Sequence, residues 1–338
     1  MNLLTTGGCG FIGSNFIHYW LATRPTDTVV NLDALTYAGN LENLKGIDNR
    51  AEYHFVKGSI CDRDLTADLM RAHAIDTVVN FAAESHVDRS IMDSAPFVMT
   101  NVVGTQRLLD AALQSGVRRF IQISTDEVYG ALSLESAERF GADSPLQPNS
   151  PYAAAKAAAD LLARSYFRTF GLPVLITRCS NNYGPYQFPE KLIPLMIVNA
   201  MKDEPLPVYG DGQHVRDWIH VRDHCEALDA VIHRGHPGEV YNIGGGNERP
   251  NLEVIHMILD LLDKPRSLIR FVKDRPGHDR RYAIDSGKIQ RELEWRPKTG
   301  FRDGLKATVD WYRENHGWAE RIVSGEYQDY YRRQYGNA

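Results

Sequence analysis

The chain has 338 residues, 43% of them hydrophobic and 24% charged, with a net charge of −5. That length suits one large α/β unit or two closely joined domains around a substantial core. The balanced charge, with no like-charge block, argues against a nucleic-acid-binding arm or a disordered tail. The absence of a long apolar run and of a charged leader argues against a membrane span or a secretory signal, so a cytoplasmic protein is expected.

Asn2–Thr6 reads as a short strand that runs into Gly7-Gly8-Cys9-Gly10-Phe11-Ile12-Gly13 and then a helical stretch to about Thr23. Glycines 7, 10 and 13 give G-x-x-G-x-x-G between strand and helix. A turn without Cβ atoms there lets the backbone approach a pyrophosphate, and the helix N-terminus meets its charge with free N–H groups. Thr28–Asp33 is a second strand. Asp33 ends it, 20 residues past Gly13, where a carboxylate can hold ribose hydroxyls and repel a 2′-phosphate; NAD is therefore the expected cofactor, in preference to NADP.

Further strands are expected at 53–57, 77–83, 120–125 and 173–178, alternating with helices over 64–73, 96–115 and 151–170. That order implies βαβ units and a Rossmann-like, doubly wound parallel sheet, with ligands outside the carboxyl ends of its strands. After Asn181 prolines and glycines interrupt shorter pieces. The expected division is a cofactor domain over 1–180, with 215–240 returning to its sheet, and a smaller substrate-binding domain built from 181–214 and 241–338. The four cysteines, Cys9, Cys61, Cys179 and Cys225, are scattered, which fits buried reduced thiols better than a disulfide framework or a zinc site. His214, His220 and His224 are read as core or surface residues, and no metal is expected.

The chemistry is concentrated between 120 and 156. The strand ending in Ser124-Thr125 delivers Asp126 and Glu127 side by side, and Ser150-Pro151 then cap and open a helix carrying Tyr152 and Lys156 on one face. A phenol beside an ammonium and a positive nicotinamide ring can lose its proton and then take one from a sugar hydroxyl as hydride leaves the carbon. Two neighbouring carboxyl groups go beyond that need. Elimination of water beside a ketone requires a base for the α-proton and an acid for the leaving hydroxyl, held in opposite protonation states. Adjacent residues on an extended strand point apart, so a turn must redirect them.

Thr6–Gly13, Ser124–Gly130 and Tyr152-x-x-x-Lys156 resemble the extended short-chain dehydrogenase/reductase superfamily. Ala82–Ser90, Cys179–Pro185, Phe188–Pro194 and Asp274–Tyr282 narrow the resemblance, over nearly the whole chain, to its dTDP-glucose 4,6-dehydratase family. Related GDP-mannose dehydratases and UDP-glucuronate decarboxylases usually carry Ser before the Glu, and epimerases lack the acidic pair. The resemblance implies that Tyr152, assisted by Lys156, is the base at the C4 hydroxyl and that Thr125 binds that hydroxyl. It further implies that Glu127 removes the C5 proton, that Asp126 protonates the departing C6 hydroxyl, and that the hydride returns to C6.

It also implies that NAD contacts Phe11, Ile12, Thr36, Ser59, Ile60, Ala82, Ala83, Ser85, Thr100 and Asn181 beside the glycines, Asp33, Tyr152 and Lys156. Ser85, Thr125, Asn182, Lys191, Leu192, Pro207, Tyr209, Arg216, Asn251, Arg275 and His278 would hold the nucleotide sugar. Ser59 departs from the usual Asp, which bears on adenine binding. The superfamily usually dimerises through two long helices packed as a four-helix bundle, here 96–115 and 151–170, with Val102, Leu108, Leu109, Leu161, Leu162 and Tyr166 as its apolar surface; core packing within the monomer is the competing use. Rival readings are an epimerase, a decarboxylase or a non-catalytic NAD-binding regulator.

Overall fold

A computed structural model describes residues 1–322. Six strands come first: β1 (Asn2–Thr6), β2 (Thr28–Asp33), β3 (Tyr53–Lys57), β4 (Thr77–Asn80), β5 (Arg119–Thr125) and β6 (Val174–Cys179). Six more follow: β7 (Asn181–Tyr183), β8 (Leu206–Tyr209), β9 (Val215–His220), β10 (Val240–Ile243), β11 (Glu248–Pro250) and β12 (Ile269–Val272). The main sheet has the order β10-β6-β5-β4-β1-β2-β3, every pair parallel. Helices cover both faces of such a sheet, so its strands are apolar on both sides instead of alternating. Leu3, Leu4, Val29, Val30, Val78, Val79, Phe120, Ile121 and Leu175 are accordingly fully buried.

From β1 the chain winds outward to β3, then crosses back to β4 and winds the other way. The direction reverses between β1 and β4. Their carboxyl ends therefore leave a crevice unfilled by crossover connections, and parallel sheets of this kind bind ligands there.

The strand at 215–220 does not rejoin this sheet as expected. It is the centre of a small three-stranded sheet, order β11-β9-β7, and β10 supplies the seventh strand of the main sheet instead. Polar residues explain the choice: β9 reads Val-Arg-Asp-Trp-Ile-His, and its Arg216 and Asp217 need backbone partners that the neighbouring loops supply. The helix after it, Val221–Arg234, does return, packing on Phe11–Thr23. A second core of Ile193, Leu195, Val208, Ile255, Phe301 and Tyr312 forms the smaller lobe. The stretch 323–338, assigned to that lobe from the sequence, lies outside the described residues.

The long helix over 96–115 is interrupted. Ala95–Phe97 is α-helical, Val98–Gly104 has the wider π spacing, and Thr105–Ser115 is α-helical again. π segments cluster at functional sites. Here the segment faces Asn101 inward, where its amide accepts from the Glu84 N–H at 2.9 Å and donates to the Glu84 carbonyl at 3.0 Å. That pair fixes the chain leaving β4. The expected dimer surface needs correction as well: Leu108 and Leu109 are fully buried in the monomer core, and Tyr166 on the 151–170 helix nearly so, because both helices must cover the sheet. Leu161 is exposed, as are Val98, Met99 and Phe170. Of the cysteines, Cys9, Cys179 and Cys225 are buried, whereas Cys61 is only partly so.

Candidate active site

The turn after β1 is built from backbone. Gly7 has φ +68°, and a Cβ there would lie 2.8 Å from the Ala82 backbone at the end of β4; one on Gly13 would come within 2.5 Å of the Gly7 carbonyl oxygen. Side chains would force the strand ends apart and push the helix off the turn. Helix Phe11–Thr23 begins at Gly10 with no side chain capping it and no acid in its first turn, so its first N–H groups point at the cavity. Asp33 is held rigidly: Oδ2 accepts from the Cys9 N–H and Oδ1 from the Leu35 N–H, both at 2.8 Å. Burial raises its pKa, and those two donors oppose the rise.

The cavity at this crevice has a volume of about 350 Å³. Gly7, Gly10, Phe11, Ile12, Gly13, Asp33, Thr36, Ser59, Ile60, Ala82, Ala83, Ser85, Thr100 and Asn181 line it, together with Thr125, Asp126, Glu127, Tyr152 and Lys156. A dinucleotide fits this donor set: free helix N–H groups for a pyrophosphate, a fixed carboxylate for a ribose, and at the far end the reactive side chains. Ser59 uses its hydroxyl to accept from the Cys61 N–H at 3.1 Å, so it braces its own loop while facing the cavity.

Strand β5 ends at Thr125, and Asp126–Tyr129 forms one 3₁₀ turn capped by the Thr125 hydroxyl, which accepts from the Glu127 N–H at 3.3 Å. That turn is the redirection the adjacent carboxyl groups required. Their settings differ. Asp126 is 2% exposed, and its pKa is pushed well above the usual range by burial, then by Glu127 and Asp217, with Arg216 opposing. Glu127 is raised by burial too, but Lys191, Arg216 and Arg275 all pull it back. Both carboxyl groups are therefore held above their ordinary range, with Lys191, Arg216 and Arg275 opposing the rise at Glu127 and Arg216 opposing it at Asp126.

Tyr152 is seated by the N–H it donates to the Ser90 hydroxyl at 3.2 Å and by edge contact with Phe97. Lys156 donates to the Ile123 carbonyl at 2.6 Å. Burial, followed by the Glu127 carboxylate, raises Tyr152 well above 10, and burial lowers Lys156.

A second cavity of about 180 Å³ opens beyond Glu127, lined by Asn181, Asn182, Lys191, Leu192, Pro207, Tyr209, Arg216, Asn251, Arg275 and His278. Its cations come from three separated segments and are individually braced. Lys191 donates to the Ser85 carbonyl at 2.9 Å and Arg216 to the Asp279 carbonyl at 2.9 Å, while Arg275 lies 3.2 Å from Asp88 and 4.7 Å from the Tyr209 ring centre. Braced cations beside an aromatic wall suit a nucleoside diphosphate. Asn182 faces inward instead, its Oδ1 2.9 Å from His224 Nδ1. His214, His220 and His224 do not gather. Among the described residues the group with metal-like spacing is His214, Asp274 and His278, but the charges of Arg216, Arg275 and Arg280 bear on its two rings and oppose a divalent cation.

Sequence reasoning missed Glu190, although its neighbour Lys191 was singled out. It is buried, lines both cavities, accepts from the Tyr37 hydroxyl at 2.8 Å, and burial raises its carboxyl to about 7. Its signal was an acid flanked by Pro189 and Lys191 in an otherwise apolar stretch. Asp217 was missed as well, and β9 offered only an ordinary Arg-Asp pair to mark it.

Fold and site together define a nucleotide-sugar enzyme of the short-chain dehydrogenase/reductase class. The chain belongs to the GDP-mannose 4,6 dehydratase family, whose sequence profile matches residues 4–308. It is 53% identical to a dTDP-glucose 4,6-dehydratase of Xanthomonas campestris, covering 96% of this chain and 97% of that one. It is 48% identical to the Escherichia coli dTDP-glucose 4,6-dehydratase, with 99% of each covered. A Streptomyces venezuelae dTDP-glucose 4,6-dehydratase solved with NAD bound superposes with a TM-score of 0.92 at 52% identity, covering 95% of this chain and 100% of that one.

Proposed function

We propose that this chain is a hydro-lyase that converts dTDP-glucose to dTDP-4-keto-6-deoxyglucose with NAD retained through the cycle. The observation that carries the reading is the Asp126–Glu127 pair, two carboxyl groups on one turn that line the cofactor cavity beside Tyr152 and Lys156. A plain dehydrogenase or epimerase has no use for the second. Relatives about half identical over nearly the full chain carry that activity in their names, which supports the substrate.

The glycine turn, Asp33, Tyr152 and Lys156 would hold NAD, which would supply a hydride acceptor for C4 and a hydride donor for C6. Tyr152 takes the C4 hydroxyl proton, with Lys156 as its cationic neighbour and Thr125 orienting the hydroxyl. The resulting ketone acidifies C5–H. Glu127 removes that proton, the C5–H electrons form the C5=C6 bond, and the C6–O bond breaks as Asp126 gives its proton to the departing hydroxyl, so one water leaves. Glu127 then reprotonates C5 as C6 is reduced. Lys191, Arg216 and Arg275 neutralise the diphosphate, and Tyr209 walls the base. Residues 1–180 with the returning helix and β10 hold NAD; the smaller lobe holds the nucleotide. The exposed apolar residues Val98, Met99, Leu161 and Phe170 support a homodimer through a four-helix bundle, and a cytoplasmic location suits a nucleotide-sugar substrate. No helix among the described residues is long and apolar enough to cross a membrane.

The test is incubation with dTDP-glucose in deuterated water without added cofactor, followed by mass spectrometry. Loss of one water with a single deuterium at C5 is the expected outcome. Unchanged dTDP-glucose, with UDP- or GDP-sugars consumed, overturns the thymidine assignment; no reaction with any nucleotide sugar, even with NAD added, overturns catalysis.

A further inference from the structure

A cofactor that ends each cycle unchanged has to be kept between turnovers, and that depends on what closes its cavity. The wall beside Asp33 is the stretch 34–40, whose Ala34, Thr36, Ala38 and Gly39 line the cavity. It folds straight back on the carboxylate: a Cβ on Gly39 would lie 2.9 Å from Asp33 Oδ1. It then returns to the glycine turn, where the Asn40 N–H donates to the Cys9 carbonyl at 3.0 Å. One 3₁₀ turn follows, Leu41–Leu44, capped by the Asn40 side chain.

Asn43, on that turn, is 2% exposed and joins three elements. Its Nδ2 donates to the same Cys9 carbonyl at 2.9 Å, and its own carbonyl accepts from His18 Nε2 at 2.7 Å. Its Oδ1 accepts from the indole N–H of Trp318 at 2.9 Å, across 275 positions of sequence. No local turn geometry produces that bond. Trp318 lies on the helix His316–Ile322, and its ring packs on Tyr186, Trp311 and Tyr312 at centroid distances of 5.9, 5.0 and 6.2 Å. Those rings belong to the core of the smaller lobe. The indole thus buries its apolar body in one lobe and gives its polar tip to the cofactor loop of the other. The loop has a second fastening: the Tyr37 hydroxyl donates to Glu190 at 2.8 Å, with the Arg89 guanidinium 3.8 Å from the Tyr37 ring centre. The Glu42–Arg321 ion pair beside Asn43 is exposed on both sides, and pairs of that kind contribute little.

We propose that Trp318 is the positioning residue that, through Asn43, holds the 34–44 loop against the glycine turn and so retains the dinucleotide between turnovers. This rests on the reading of the cavity as the NAD site. The alternative use of Trp318 is to pack its own lobe and nothing more. The two uses differ in what they do to the cofactor, because coupling is reciprocal: a contact that favours bound NAD is itself favoured by bound NAD.

The full chain, purified with its NAD, decides between them. Trp318→Phe keeps a ring for Tyr186 and Trp311 and removes the N–H. The variant should release NAD about tenfold faster than wild type, as the loss of one buried hydrogen bond implies. After desalting, its turnover of dTDP-glucose should depend on added NAD and return to within about twofold of wild type once NAD is saturating. Release at the wild-type rate overturns the proposal. So does a turnover deficit that saturating NAD leaves in place, since Trp318 then serves only its own lobe. Asn43→Ala removes the acceptor and should release NAD at least as fast as Trp318→Phe. Combining the two should add nothing, and an additive double variant overturns the route through Asn43. A wild-type protein that binds no NAD at all sinks the reading of the cavity instead. Should Trp318→Phe fail to fold, hydrogen exchange of the Trp318 indole N–H in wild type carries the test. Titrating NAD into NAD-free protein should slow that exchange about tenfold, and an unaltered rate overturns the proposal.

Discussion

The two cavities that meet at Glu127 are built by different means. The cofactor half is made of backbone: a glycine turn whose missing Cβ atoms permit contact with Ala82 and Gly7, helix N–H groups, and one carboxylate tied to two amides. The proposed sugar-nucleotide half is made of long side chains, Lys191, Arg216 and Arg275, each braced by a carbonyl, a carboxylate or a ring from a distant segment. Backbone sites tolerate no added atom, because neighbouring chain cannot move without moving the sheet. Side-chain sites lose binding in increments, since each cation makes its own contribution.

The sharpest break lies where the halves join. Glu127→Gln removes the base yet keeps its shape, so turnover should fall by about 10³-fold while C4 oxidation continues; the absorbance of reduced nicotinamide accumulating on the protein would show it. Gly13→Ala tests the backbone half. Its Cβ must displace the Gly7 carbonyl from 2.5 Å, and a misplacement of that kind costs about a hundredfold in activity, read together with loss of NAD from the purified protein. A variant that keeps its NAD would show that the turn is softer than the contacts imply.

The junction also fixes a pH profile. In its proposed role Glu127 acts ionised and its pKa is raised, so the rate is expected to fall as pH drops through that raised value. Asp126 must be protonated and is raised further, so the rate falls again at higher pH. The turnover number should trace a bell whose acid limb lies above the ordinary carboxylate range. A smaller effect is expected for Arg216→Lys, which keeps charge but loses the planar fork. KM for dTDP-glucose should rise about tenfold with little change in turnover number. Similar in size is Asp33→Ser, which removes the repulsion of a 2′-phosphate and should narrow the preference for NAD over NADP by about tenfold; titration of cofactor-free protein with both would measure it.

Much of the cofactor half was legible because its determinants are close together in the chain. The strand, the glycine turn, the helix start and Asp33 fall within the first 33 residues, and each follows from local sterics or a dipole. Ser150 and Pro151 likewise announced the catalytic helix, which runs over Pro151–Phe170 as read. The strand at 215–220 was misplaced because its pairing depends on β7 and β11, which no local pattern reveals. Leu108 and Leu109 were offered as interface because periodicity shows an apolar face without showing what covers it.

By itself the sequence determined the alternation of strands and helices, the glycine turn after the first strand and the chemical identity of the side chains proposed to react. These depend on periodicity, sterics and residue type, all of which are local. Only the tertiary structure decided how differently the two adjacent carboxyl groups are surrounded. That answer comes from Asp217, Arg216, Lys191 and Arg275, whose charges act through space across segments far apart in the chain.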